Sequence, residues 1–291
     1  MLKQRVVTAV VLLAILLPAL FYRTPVPFCA VALLLIAAGA WEWARLNSFG
    51  QRLSLLSAVC CVLLCGWSWS AGLLDKPLPV LWILGGTCWV LVGGWLLWAG
   101  VTGWAGIPRS VRWVAGVLVL WLAWLAVAQA RFLGINFLMS VLLLVWVADI
   151  FAYFAGRALG GRFAKGKLAP SISPGKSWEG VWGGVAGVML LACLWILAEG
   201  FGGAAVEGGP VPVQGVSLYG RLWQQFGPAF MLLAVVFLAA MSVVGDLVES
   251  LIKRSAGAKD SSGLLPGHGG VLDRVDALLP TLPLAMMLVS F

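Results

Sequence analysis

Five of the eleven carboxylates in this 291-residue chain, Asp246, Glu249, Asp260, Asp273 and Asp276, fall after residue 245 and stand beside Lys253, Arg254, Lys259 and Arg274. If the segment from Gly245 is helical, Asp246, Glu249, Ser250 and Lys253 share one face, while Leu247, Val248, Leu251 and Ile252 point elsewhere. Asp273 and Asp276 form a second acid pair around Arg274, and between the pairs lies Pro266-Gly267-His268-Gly269-Gly270. Carboxylates among several cations suit metal-assisted phosphate chemistry. Mg²⁺ takes hard oxygen ligands, commonly one or two carboxylates plus substrate phosphates, and Lys and Arg neutralise the remaining charge. Glycines flanking His268 would let backbone N–H groups approach an anion closely. Taken alone, the same residues also fit a solvated mixed-charge loop, and a lone His fits a structural hydrogen-bonder.

A second polar stretch begins at Asp149, which lies at the end of an apolar run and shares a helical face with Tyr153 and Gly156. An ionisable residue at that depth is a functional candidate, and a buried acid paired with Arg157 or Arg162 is the alternative. Lys165, Lys167 and the run Ser173-Pro174-Gly175-Lys176-Ser177-Trp178-Glu179-Gly180 follow. Gly175-Lys176-Ser177 suggests a P-loop, but GxxxxGK[ST] needs glycine where Pro170 stands, and no strand is predicted before it.

The 27-residue run Ser250-x-x-Lys253-Arg254, Lys259-Asp260, Pro266-x-His268-Gly269-Gly270-x-x-Asp273-Arg274-x-Asp276 resembles the signature of the phosphatidate cytidylyltransferase (CDP-diacylglycerol synthase) family. The 173–180 run is similar to a second, less specific block of that family, with Ser177 where Thr is commoner and the hydroxyl kept. The resemblance implies a membrane nucleotidyltransferase of phospholipid biosynthesis. It would condense CTP with phosphatidic acid to CDP-diacylglycerol and pyrophosphate, with Mg²⁺ or another divalent cation as cofactor. Asp246 and Asp273, each beside the membrane end of its helix, are the expected metal ligands. Lys253, Arg254, Lys259, Asp260, His268 and Arg274 are the expected catalytic set. Asp149, Tyr153, Ser173, Lys176, Glu179, Glu249, Ser250, Gly269, Gly270 and Asp276 are the expected substrate-binding set. The attacking phosphomonoester has a second pKa of about 6 and needs no strong base, so His268 is expected to orient a phosphate or a metal ligand. A lipid kinase, a cytidylyltransferase for another lipid phosphate, and a transporter or channel are the rival readings. The transporter is disfavoured because ionisable residues gather in loops rather than along the spans.

These residues must be positioned by a membrane scaffold. Hydrophobic residues make up 62% of the chain and charged ones 10%, with 17 Trp and 36 Gly; a soluble domain carries about 25% charged residues. The expected fold is all-α and polytopic, with about nine spans near 6–22, 26–41, 53–74, 78–99, 111–130, 133–156, 181–198, 228–248 and 271–291. It reads as a single integral membrane domain, with N-terminal helices over 1–130 and a C-terminal half over 131–291 carrying the site. Nine spans place fifteen of the nineteen Lys and Arg on the face that also bears both polar loops, and the positive-inside rule makes that face cytoplasmic. The expected location is the cytoplasmic (inner) membrane, with CTP, phosphatidic acid and membrane lipid as partners, a homodimer compatible with this and nucleic acid not. The first span, after Lys3 and Arg5, lacks a small-x-small cleavage site and reads as retained. The outer loop 199–226 carries no interpretable signal. Cys29, Cys60, Cys61, Cys65, Cys88 and Cys193 read as small buried hydrophobes. Gly183 and Gly187 read as a helix-packing pair, and Glu42 with Arg45 as a local ion pair outside the site.

Overall fold

The computed structural model describes residues 2–164, 166–200 and 215–290, so Lys165 and positions 201–214 of the outer loop lie outside the described residues. Within lipid, backbone N–H and C=O groups find partners only inside their own segment, so long apolar runs become helices. The elements are α1 (Leu2–Phe21), α2 (Val26–Leu46), α3 (Gln51–Ser70), α4 (Pro79–Gly106), α5 (Arg109–Leu133), α6 (Ile135–Leu159), β1 (Lys167–Ala169), β2 (Ser173–Ser177), α7 (Trp178–Ala198), α8 (Leu218–Phe226), α9 (Pro228–Ser255), α10 (Leu272–Val275) and α11 (Leu278–Leu288). Among the described residues eight helices are long and apolar enough to cross a membrane: α1 to α7 and α9. The chain is an all-α, multi-pass membrane protein.

The stretch read as a ninth span is divided. Helix α10 stops before Asp276 and α11 has 11 residues, which rise about 16 Å, roughly half of a 30 Å hydrocarbon core. Leu279, Leu282, Leu284 and Ala285 are buried, and α11 packs against α4, α5, α6 and α9. Its apolarity therefore serves protein burial. A helix enclosed on all sides and one facing lipid have the same composition.

The loop between α6 and α7 also departs from an all-helical reading, because β1 and β2 pair antiparallel, with Lys167 opposite Ser177 and Ala169 opposite Ser173. Lys176 sits in β2, directly before the Ser177 cap of α7, whose hydroxyl accepts the Gly180 N–H at 3.2 Å. A strand does lead into a helix here, yet no glycine-rich loop separates them, and a P-loop remains excluded. The 199–226 loop contains α8, where Tyr219 is fully buried and donates its hydroxyl to the Ser140 carbonyl at 3.0 Å.

Helices α6 and α7 lie close because of glycine. A Cβ on Gly183 would meet the Ala155 Cβ at 2.1 Å, and one on Gly187 would meet Phe151 at 2.4 Å. The expected packing pair is thus extended by Gly180 and Gly184, which face backbone carbonyls of α6. Of the cysteines, Cys29, Cys61 and Cys65 are buried and Cys60 is half-buried. Cys88 and Cys193 are exposed, contrary to the expectation, because lipid rather than water covers apolar helix surfaces in a membrane protein.

Candidate active site

Three segments meet at one end of the bundle: the end of α6 with the β1–β2 loop, the end of α9, and the 256–271 loop. Lys176 from β2 forms an ion pair with Asp246 on α9, and the Arg254 Nε–H donates to the Ile172 carbonyl at 3.3 Å. The two polar stretches, seventy residues apart in sequence, are therefore one surface. A cavity of about 460 Å³ lies under the Lys176–Asp246 pair, bounded by Asp149, Tyr153, Arg157, Gly175 and Ser177. Its deeper wall is apolar, with Ala148, Val181, Val185, Ala239 and Val243. Asp149 faces this cavity and its neighbouring charges are Asp246 and Lys176. Arg157 instead donates to the Tyr153 hydroxyl at 3.1 Å.

The two acids of α9 face different surroundings. Asp246 is about one third exposed and accepts a 3.3 Å hydrogen bond from Ser250. Glu249 is 4% exposed and pairs with Lys253, whose ammonium also donates to Asp273 Oδ1 at 2.6 Å. Asp273 Oδ2 accepts the Ser261 N–H at 2.9 Å, the Ser261 hydroxyl at 2.8 Å and the Gly270 N–H at 2.7 Å. Both Asp273 oxygens are thus engaged by the protein. The sequence pairs Asp246 with Asp273 as metal ligands, but Asp273 does not line the cavity, and the carboxylate that shares it with Asp246 is Asp149. Burial works against ionisation of Asp273, yet the hydrogen bonds from Lys253, Gly270 and Ser261 outweigh it and hold the carboxyl below its usual value. Asp276 accepts the Ala277 N–H at 2.8 Å; burial pushes its carboxyl up to about 7, and Asp246 pushes the same way. Among the described residues no cluster of three or more His, Cys, Asp or Glu side chains forms a ready metal cage.

The remaining expected residues divide between the open surface and the scaffold. Lys259, Asp260 and Arg274 are exposed, and the Arg274 Nε–H donates to the His268 carbonyl at 3.1 Å. His268 is half-buried, its N–H donates to the Leu265 carbonyl at 2.8 Å, and its buried Nδ1 has no hydrogen-bond partner in the protein. Gly269 has φ +83°, and a Cβ there would meet Asp273 Oδ2 at 2.6 Å, so this position admits glycine for both reasons. The Gly270 N–H, considered above for anion binding, is donated to Asp273. Ser173 is half-buried at the start of β2. Glu179 faces inward, 5% exposed, and its Oε1 accepts the N–H groups of Gly161, Phe163 and Ala164 at 3.1, 3.1 and 2.9 Å. It holds the loop rather than lining the cavity.

Glu42 corrects the sequence reading most. It makes no ion pair with Arg45, whose guanidinium lies 4.6 Å from the centre of the Trp41 ring. Glu42 is fully buried at the end of α2 and accepts the Val271 and Leu272 N–H groups at 2.9 and 2.8 Å and the Ser261 hydroxyl at 3.1 Å. Ser262 also donates to it, at 2.5 Å. The overlooked signal was an acid between Trp41 and Trp43 near the end of a span, where an ionisable group needs partners from elsewhere in the fold.

This convergence agrees with the relatives. A model described as the cytidylyltransferase family matches residues 3–291. The chain is 38% identical to a phosphatidate cytidylyltransferase of Pseudomonas aeruginosa, over 97% of this chain and 95% of that protein. It is 36% identical to one of Haemophilus influenzae, over 97% and 96%. A Bacillus subtilis phosphatidate cytidylyltransferase is 34% identical over only 54% of this chain and 48% of its own length. With the family model covering nearly every residue and both polar blocks joined in one surface, the chain belongs to the cytidylyltransferase family.

Proposed function

We propose that this protein is a phosphatidate cytidylyltransferase, transferring the cytidylyl group of CTP to phosphatidic acid to form CDP-diacylglycerol. The observation that carries this reading is a cavity between α6, α7 and α9. It has Lys176, Arg157, Asp149 and Asp246 at its polar end and an apolar wall among spans. A polar mouth suits a triphosphate and an apolar wall suits an acyl chain, so one cleft serves a nucleotide and a membrane lipid.

A phosphate oxygen of the lipid would form a bond to the α-phosphorus of CTP as the bond from that phosphorus to the bridging oxygen breaks. Pyrophosphate leaves with the electron pair. The nucleophile is an ionised phosphate at neutral pH, so the protein's task is to align it and to neutralise charge. Lys176 reaches the cavity from β2 and would meet the phosphates, and Lys259 in the 256–271 loop and Arg274 in α10 extend the cationic surface. Lys253 acts indirectly, fixing Glu249 against Asp273. Asp149 and Asp246 offer hard oxygen donors that fit a divalent cation, and Lys176 is the counter-charge of Asp246. When bound, such an ion supplies neutralisation of the triphosphate. The excess of Lys and Arg in the loops at this end supports a cytoplasmic orientation of the site, in keeping with a protein of the cytoplasmic membrane.

The test is pyrophosphate release by the purified protein in mixed micelles with CTP and phosphatidic acid, with and without Mg²⁺. Turnover with phosphatidic acid is expected. Release only with a different lipid phosphate would replace the substrate, and solute movement without any release would replace the enzyme reading.

A further inference from the structure

The 256–271 loop carries Lys259, Asp260 and His268 but has little regular structure of its own. Two carboxylates grip its ends and meet at the Ser261 hydroxyl. Asp273 takes the Ser261 N–H and hydroxyl and the Gly270 N–H. Glu42 takes the Ser261 and Ser262 hydroxyls and the Val271 and Leu272 N–H groups. A Cβ at Gly270 would meet the Ser261 hydroxyl at 2.0 Å and Glu42 Oε1 at 2.4 Å, so the grip is as tight as a bare backbone allows. Glu42 comes from α2, more than two hundred residues earlier in sequence, in a half of the chain that contributes nothing to the cavity.

We propose that Glu42 is a positioning residue for the transfer reaction. It ties residues 261 and 262 to residues 271 and 272 and so sets the place of Lys259 and His268 relative to Lys253 and Asp273. A carboxylate presents acceptors only, and its partners are donors: two backbone N–H groups, the Ser262 hydroxyl, and the single Ser261 hydroxyl proton, which it shares with Asp273. Glutamine in the same place turns one acceptor into a donor aimed at donors, whereas aspartate is one methylene too short to span both pairs. The grip closes a loop of ten residues at its base. Opening it would leave the cavity and α9 intact while freeing His268 and the adjoining Lys259, so its effect belongs on kcat rather than on capture of the lipid.

The kinetic part rests on the cytidylyltransferase reading; the structural part does not. In the full-length protein in mixed micelles, Glu42→Gln is expected to speed amide exchange of residues 261–272 by about tenfold or more, since hydrogen bonds to a charged group are lost. Exchange over 240–252 should stay as in the parent. The same variant should lower kcat by about thirtyfold with the KM for phosphatidic acid within about threefold. Glu42→Gln combined with Lys259→Ala should be no slower than the slower single variant, because both act through one element. Ser262→Ala removes one donor and keeps the carboxylate, and should give a smaller loss of kcat, about threefold to fivefold, with the same KM. Parental exchange over 261–272 in either variant overturns the proposal. So does a double variant whose loss is the product of the two single losses, which is what a general weakening of the fold would give. If the parent releases no pyrophosphate from CTP and phosphatidic acid, the functional reading fails by itself and the exchange experiment still decides the role of Glu42.

Discussion

Two loops at the same end of the bundle are each held by a buried glutamate, and they differ in where that glutamate comes from. The 160–177 loop is clasped by Glu179, in the first turn of the helix that follows it, through three backbone N–H groups of residues 161–164. The 256–271 loop is clasped by Glu42, from a helix remote in sequence. A local clasp forms whenever its helix forms. A remote clasp forms only after α2 and α10 have packed, so it makes the geometry of the second loop depend on tertiary structure far from it in sequence. The loop richest in candidate catalytic groups is therefore the one whose shape the tertiary structure controls.

The largest effect expected within this comparison separates open from gripping carboxylates. Asp246→Asn should lower turnover by about 10²-fold to 10³-fold, because it removes a charged oxygen donor for the cation that would neutralise the triphosphate, with little change in melting temperature. Asp273→Asn should lower turnover and also destabilise by about 3 kcal/mol or more, because it removes one of the two carboxylates held by the buried Lys253. Thermal melting and pyrophosphate release on both variants check this. Equal melting temperatures would dissolve the distinction between the two acids.

Next in size is Lys176→Ala, which removes the ion pair joining the two loops and should reduce kcat/KM for CTP by about tenfold to a hundredfold. A parental value across CTP concentrations would return Lys176 to the solvated surface. Glu179→Gln should have a milder effect, with faster amide exchange confined to residues 161–164 and a several-fold loss of activity. Exchange spreading into 261–272 would show that the local clasp is not local. His268 has an orphaned buried Nδ1, and His268→Gln should retain measurable activity while His268→Ala loses more. Two equally inactive, folded variants, with parental kcat falling around pH 6.5, would instead make His268 the proton acceptor.

The smallest effect is a pH dependence of stability. Asp273 has a depressed pKa in the folded protein despite burial, because Lys253 and the Gly270 and Ser261 N–H groups favour its ionised form. Such a group adds stability above its unfolded value, about 3.9, and that contribution is lost as pH falls through the folded value. The parent should therefore lose melting temperature below about pH 4 more steeply than Asp273→Asn. Superimposable curves would show that the grip on Asp273 contributes nothing to stability.

Much of this protein is determined by sequence alone, for a physical reason in each case. Low charge and long apolar runs dictate membrane helices, because the backbone has no other way to satisfy itself in lipid. Glycine at 183 and 187 announces the close α6–α7 contact, and the two polar blocks are legible because ionisable residues are so scarce elsewhere. What the tertiary structure decided concerns partners. Apolarity could not say whether 271–291 faces lipid or protein, and α11 proves to be enclosed. Spacing could show Asp246 and Asp273 beside helix ends but not that Lys253, Ser261 and Gly270 all reach Asp273, or that Asp149 shares the cavity with Asp246. Glu42 had a charge of opposite sign three residues away, and local pairing was the natural reading. Its actual donors lie more than two hundred residues along the chain, and only the packing of α2 against α10 brings them within hydrogen-bond reach.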